Sequence, residues 1–236
     1  MTQDALATRA GLWSLASAYF MLATGSLAVI GLVQPMAESW RVTPADVASL
    51  VTVFALTLAV SAPLVQILLG HLARRTLIIG GLTLMASGLA ITAAAPDFTW
   101  GIVGRVLAGA GAASVGPIAS ALGADLVSPQ RQPQALATVF FGMTFATVAG
   151  VPLTTWLGFL FGWRAVFVLL AIAAMACAGA VALLVSNRAS GGRIRLRALF
   201  GTVSRASVAW AVLTGLLQMA ASFASYALVA LYLAER

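Results

Sequence analysis

The chain has 236 residues, 61% hydrophobic and only 8% charged, which leaves too few polar side chains to cover a water-exposed globule. Its formal net charge of +7 comes from thirteen basic residues, all arginine, against six acidic ones. The arginines are sorted by loop rather than gathered on one face, which argues against a nucleic-acid partner.

Residues 1–10 are polar and carry no cluster of positive charge. Charges then vanish over long stretches. Residues 11–36, 47–70, 76–96, 132–163, 165–187 and 206–234 contain no Asp, Glu, Lys or Arg, and 98–124 contains only Arg105. Each run reaches or exceeds the ~20 residues that carry a helix across ~30 Å of hydrocarbon. Soluble helices of that length need a charged outer face, and none of these has one. The pattern predicts an all-α, polytopic transmembrane fold of seven spans, with the lipid bilayer as first partner. The first run is longer than the apolar region of a signal peptide and no small-residue cleavage site follows it, so it stays as a helix.

The connections at 37–46, 71–75, 96–98, 125–133 and about 160–165 are short and predict neighbouring antiparallel helices. The exception is 187–205, the longest and most basic loop, with Gly191 and Gly192 as a flexible point. Three parts follow: a six-helix transmembrane bundle over 1–186, a basic cytoplasmic linker over 187–205, and over 206–236 the first helix of an incomplete second half. Arg193, Arg195 and Arg197 alternate with apolar residues, so the linker reads either as an interfacial segment or as a tether held inside by charge. Placing the N-terminus in the cytoplasm puts nine arginines inside (9, 74, 75, 131, 188, 193, 195, 197 and 205) and only Arg41, Arg164 and Arg236 outside. The expected location is a plasma (inner) membrane, crossed several times.

Cys177, the only cysteine, lies within the sixth run, and His71, the only histidine, lies in a loop, so no disulfide framework, metal site or cofactor is expected. A faint internal echo links Pro35-Met36-Ala37 with Pro117-Ile118-Ala119, Thr52-Val53-Phe54 with Thr138-Val139-Phe140, and Pro63-Leu64 and Gly70 with Pro152-Leu153 and Gly158. A three-helix unit used twice would explain it.

Polar residues within spans are the candidates for function. Arg105 lies ~10 Å into the fourth span, where a charge costs ~2.5–3.5 kcal/mol even on insertion scales. It faces either a wet cavity within the bundle or, as a structural residue, a neighbouring carbonyl or the interface. Gln34 and Gln66, with Thr52, Thr57 and Ser61, suit either an uncharged polar substrate or interhelical hydrogen bonds. Gly142, Gly150, Pro152 and Gly158 thin and bend the fifth span, as a hinge or as close packing requires.

Four stretches resemble the major facilitator superfamily, in particular its drug–proton antiporters and sugar-efflux permeases. Gly70-His71-Leu72-Ala73-Arg74-Arg75 is similar to the loop motif G-x-L-a-D-r-x-G-r-r. Arg105-Val106-Leu107-Ala108-Gly109-Ala110-Gly111 is similar to the fourth-helix motif R-x-x-x-G-x-g. Gly142 through Gly150-Val151-Pro152 to Gly158 is similar to the antiporter motif of the fifth helix, and Gly162-Trp163-Arg164 to the G-W-R before the sixth. The loop motif departs in having Arg74 where the family has Asp; Asp125, at the end of the fourth helix, is positioned by sequence to pair with Arg74 or Arg75.

The resemblance implies a six-helix N-terminal bundle of three-plus-three repeats, plus a seventh helix. It implies secondary transport, with efflux of a small drug-like or sugar-like molecule by alternating access, and, for an antiporter, protons as coupling ion. It implies Arg105, Gln34, Gln66, Thr52 and Thr57 as the substrate and coupling path. Gly70, Arg74, Arg75, Asp125, Gly142, Gly150, Pro152 and Gly158 are the conformational motif. It implies a further partner, either the missing C-terminal half or another copy. A membrane-embedded enzyme would need a nucleophile–base pair or a metal cluster, and the sequence supplies neither. The remaining alternative is a truncated, non-transporting fragment of such a transporter.

Overall fold

The computed structural model describes residues 3–185, together with scattered residues between 208 and 221. The chain divides into two units after Arg193. The described residues of the second unit are helical, with Trp210 and Leu217 exposed. The rest of the expected seventh span and the whole linker lie outside the described residues.

Residues 3–185 form helices joined by short turns, and the breaks within spans fall next to prolines. The first span is α1 (Gln3–Leu27) and α2 (Val33–Trp40), bent by 41° at their junction. Pro35 has no N–H to return to the preceding turn, which favours a break just before it. The second span is α3 (Pro44–Leu69), opened by a capping box. There the Thr43 hydroxyl accepts from the Asp46 N–H at 3.2 Å, and the Asp46 carboxylate accepts from the Thr43 N–H at 3.0 Å. The third span, α4 (Arg74–Ala94), is unbroken. The fourth is α5 (Phe98–Ala112) and α6 (Gly116–Asp125), interrupted before Pro117. The fifth is α7 (Gln132–Phe145) and α8 (Val151–Phe161), joined through a wide π-turn at Ala146–Gly150. That turn falls where Pro152 cannot bond back to the carbonyl four residues earlier. The sixth span is α9 (Trp163–Leu184), and Gly162, at φ +83°, makes the reversal into it.

Six spans are thus described, counting the bent α1–α2 pair as one. Two boundaries differ from the sequence expectation. α1 begins at Gln3, well before the apolar run, and 37–46 is not a ten-residue loop: helix runs to Trp40 and resumes at Pro44. The indole of Trp40 is buried and donates to the Ala95 carbonyl at 3.2 Å, so burial holds the chain helical past its last apolar residue.

α4 packs between α5 and α9, α1 lies against α7 and α9, and α3 lies against α5. The α4–α5 approach depends on glycine. A β-carbon on Gly104 would sit 2.7 Å from the Gly88 carbonyl oxygen, and one on Gly88 would collide with the backbone of Ala108. Two apolar clusters fill the bundle, one around Phe54, Met85, Leu89 and Phe167, the other around Leu15, Ile78, Leu82 and Leu122. Burial is lopsided: 67% of the fourth span's apolar window is covered, against 17% of the second and 22% of the fifth.

Candidate functional site

Arg105 is fully buried and all its hydrogen bonds go to main-chain carbonyls. Nη1 donates to Gly25 at 2.7 Å, Nη2 to Ser26 at 2.7 Å and Nε to Leu50 at 3.4 Å. The cause lies in the broken first span. A helix that ends at Leu27 leaves its last carbonyls without partners further along, at the negative end of its dipole. A guanidinium fork suits two adjacent carbonyls there. The face of Phe54 lies under the cation, 4.6 Å from ring centroid to Cζ. Gly109 makes the approach possible, since a β-carbon there would lie 2.8 Å from the Phe54 carbonyl oxygen. Arg105 therefore ties α5 to α3 and to the end of α1.

Gln34, Gln66, Thr52 and Thr57 are not among Arg105's hydrogen-bond partners. Thr57 is half-buried where Gly109 meets α3; Thr52 and Gln34 are exposed, and Gln66 is half-buried towards the Gly70 end of α3. They present uncharged polar groups at separate levels of the first and second spans.

At the arginine-rich end, Gly70 is buried in the turn between α3 and α4. Arg74 forms an ion pair with Asp125, joining the start of α4 to the end of α6. Arg75 donates from Nη2 to the Ala182 carbonyl of α9, while its Nε is buried without a partner.

The fifth-span glycines form a seam against the first span. Gly142, Gly150 and Gly158 meet Ala16, Thr24 and Leu32, at equal intervals on both helices, so the two spans run in the same direction in one constant register. At Gly150 a β-carbon would lie 2.5 Å from the Thr24 hydroxyl oxygen, which is itself buried and unpartnered. Pro152, next to the π-turn, is exposed.

Sequence reasoning missed a latch at the opposite end. Arg164 donates from Nη2 to the Ala95 carbonyl and from Nη1 to the Ser39 hydroxyl, both at 3.0 Å, and lies over the Trp163 ring at 4.2 Å. Trp163 meets Trp40 edge-on at 5.0 Å. The ends of the first, third and sixth spans are joined there, and the Gly-Trp-Arg triplet was the available signal. Among the described residues no group of three or more His, Cys, Asp or Glu is placed to hold a metal ion.

A six-helix bundle with two open spans, a buried fourth-helix arginine and a glycine seam along a kinked fifth helix defines the class. The chain belongs to the Major Facilitator Superfamily, whose family model matches residues 15–236. It is 31% identical over 217 residues to the "Inner membrane transport protein YdhP" of Escherichia coli (strain K12), covering 91% of this chain and 55% of that protein. It is 33% identical over 223 residues to the "Chloramphenicol resistance protein" of Streptomyces lividans, covering 93% and 57%. The chain thus spans about half the length of these curated relatives. Its fold matches the crystal structure of a bacterial homologue of the human lysosomal transporter Spinster, in an inward-facing and unoccupied conformation. The TM-score is 0.65 at 18% identity, over 81% of this chain and 45% of that one. The family is one of membrane transport proteins, not enzymes.

Proposed function

We propose that the described bundle is the N-terminal half of a secondary transporter that exports small, uncharged, amphipathic molecules by alternating access, in exchange for protons. The observation that carries this reading is the lopsided burial. The open second and fifth spans offer the exposed hydroxyls of Thr52, Ser49, Thr144, Thr147 and Thr155, and beyond Asp46 in the first turn of α3 they carry no carboxylate. A second six-helix unit, from a longer chain or from another copy, covers that surface and completes a central cavity. Arg105, the one fully buried cation among the described residues, is spent on carbonyls, so this half offers the substrate hydrogen bonds rather than charge. The similarity to the chloramphenicol resistance protein of Streptomyces lividans supports a neutral drug of the chloramphenicol kind. No carboxylate lies within the apolar runs, so a titrating acid for coupling comes from the second unit. Proline placement supports movement: the first, second, fourth and fifth spans contain Pro35, Pro63, Pro117 and Pro152, whereas α4 and α9 contain none.

The test is accumulation of radiolabelled chloramphenicol in everted vesicles under an imposed pH gradient. The vesicles carry this chain co-expressed with the second half of the E. coli relative. Saturable accumulation that collapses with the gradient is expected. Accumulation indifferent to the gradient, or none for any neutral amphiphile tried, contradicts the reading.

A further inference from the structure

Leu12, Leu15, Tyr19, Leu22 and Ser26 recur at three- and four-residue intervals and so share one face of α1. Towards the start of the helix, Leu12 and Leu15 are buried beside Gly123 of α6 and Val139 of α7. From Tyr19 onward the face opens, and Tyr19, Leu22 and Ser26 are half-buried. A recess with an apolar floor thus lies between α1, α6 and α7. Gly116 admits Tyr19 to it, since a β-carbon there would lie 3.3 Å from the phenol oxygen. The ring of Phe140, on α7, tilts against the Tyr19 ring at 5.4 Å between centroids and is 44% exposed. Phe140 turns to this recess, whereas Phe141 and Phe145 stack on each other on another face of α7.

The direction of the hydroxyl protons sets what the recess can bind. The phenol hydroxyl of Tyr19 is directed at the side chain of Ser120 on α6. Ser120 spends its own proton on the Gly116 carbonyl at 3.1 Å, so it meets Tyr19 only as an acceptor. The Tyr19 proton therefore points at α6, and its oxygen turns lone pairs to the open side. Neighbouring hydroxyls behave alike: Ser26 donates to the Ala23 carbonyl and Thr147 to that of Thr144, both at 2.8 Å. The wall offers accepting oxygens beside an aromatic surface. A substrate with acceptors alone would set lone pair against lone pair there. One with a hydroxyl on an aromatic frame satisfies both elements.

We propose that Tyr19, oriented by Ser120 and flanked by Phe140, sets specificity for a substrate that joins an aromatic ring to a hydroxyl donor. The inference rests on the transport reading, which makes this recess part of the central cavity, and it narrows the substrate class. The probes are radiolabelled chloramphenicol and its di-O-methyl ether, whose hydroxyl donors are capped. Equilibrium binding of each is measured on the 236-residue chain in lipid nanodiscs. Wild type should bind chloramphenicol about fivefold more tightly than the ether, the scale of one neutral hydrogen bond. Tyr19→Phe should bring the two ligands level. Phe140→Leu should weaken both alike and keep the preference. Ser120→Ala lets the phenol proton turn outward, so the ether should bind more tightly than to wild type, a gain that loosened packing would not produce. Equal affinities in wild type, or no saturable binding of either ligand, overturn the proposal, and that comparison stands even if a variant does not fold. A preference unchanged in folded Tyr19→Phe also overturns it. The transport reading fails separately, when everted vesicles show no gradient-driven accumulation although the Tyr19-dependent preference is present.

Discussion

A guanidinium in the bilayer can be satisfied by water, by an acid or by backbone carbonyls, and Arg105 takes the third course through Gly25, Ser26 and Leu50. Its removal strands carbonyls at the break of the first span, so Arg105→Ala should destabilise the bundle by about 3 kcal/mol while leaving insertion intact. Arg105→Lys should recover less than half of that, because one ammonium cannot serve two carbonyls and lie over Phe54. Thermal unfolding in detergent checks both, and a wild-type midpoint for the alanine variant would show that Arg105 does not hold the bundle together. The Arg74–Asp125 pair is a contrasting case. With side chains 30% and 44% exposed it is worth no more than about 1 kcal/mol, so Asp125→Asn should barely move the same midpoint. The depth of Arg105 was legible in the sequence, as was the prospect of an Arg74–Asp125 pair. The partners of Arg105 were not, because backbone carbonyls freed by a helix break leave no mark in residue type.

Among the elements, glycine decides how closely helices approach. Gly80 and Gly88 lie on the same helix, α4, and differ only in surroundings. A β-carbon on Gly80 meets nothing within 4 Å, whereas on Gly88 it meets the backbone of α5. Gly80→Ala should be neutral or stabilising by up to about 1 kcal/mol through helix propensity. Gly88→Ala should cost about 1–3 kcal/mol through overpacking. Equal effects in a chemical unfolding series would show that α4 and α5 are not in this register. The spans were legible from absent charges, and the kink of the fifth from Gly150 and Pro152. The helix extensions to Gln3 and to Trp40 were not, because polar residues at a span's end read as loop until a tertiary partner such as Ala95 holds them. The internal echo is uneven in the structure. Pro35 and Pro117 are both exposed and followed by two buried residues, but Phe54 is buried where Phe140 is exposed.

For the molecule as a whole, we infer from the arginine bias that 71–75 and 125–133 face the cytoplasm. With Cys177 replaced, single cysteines at Asp46 and Asp97 should react with an impermeant maleimide added to intact cells, and one at Arg131 should not. Labelling only at Arg131 would invert the topology.

We propose that this bundle is half of a transporter and needs a second unit over its second and fifth spans. Gradient-driven uptake of labelled chloramphenicol should be compared in liposomes holding the purified 236-residue chain alone and in liposomes holding it with a second six-helix half. Binding without net flux is expected for the monomeric chain alone, and saturable, gradient-dependent flux when both halves are present. Robust saturable flux through the monomeric chain alone would contradict it.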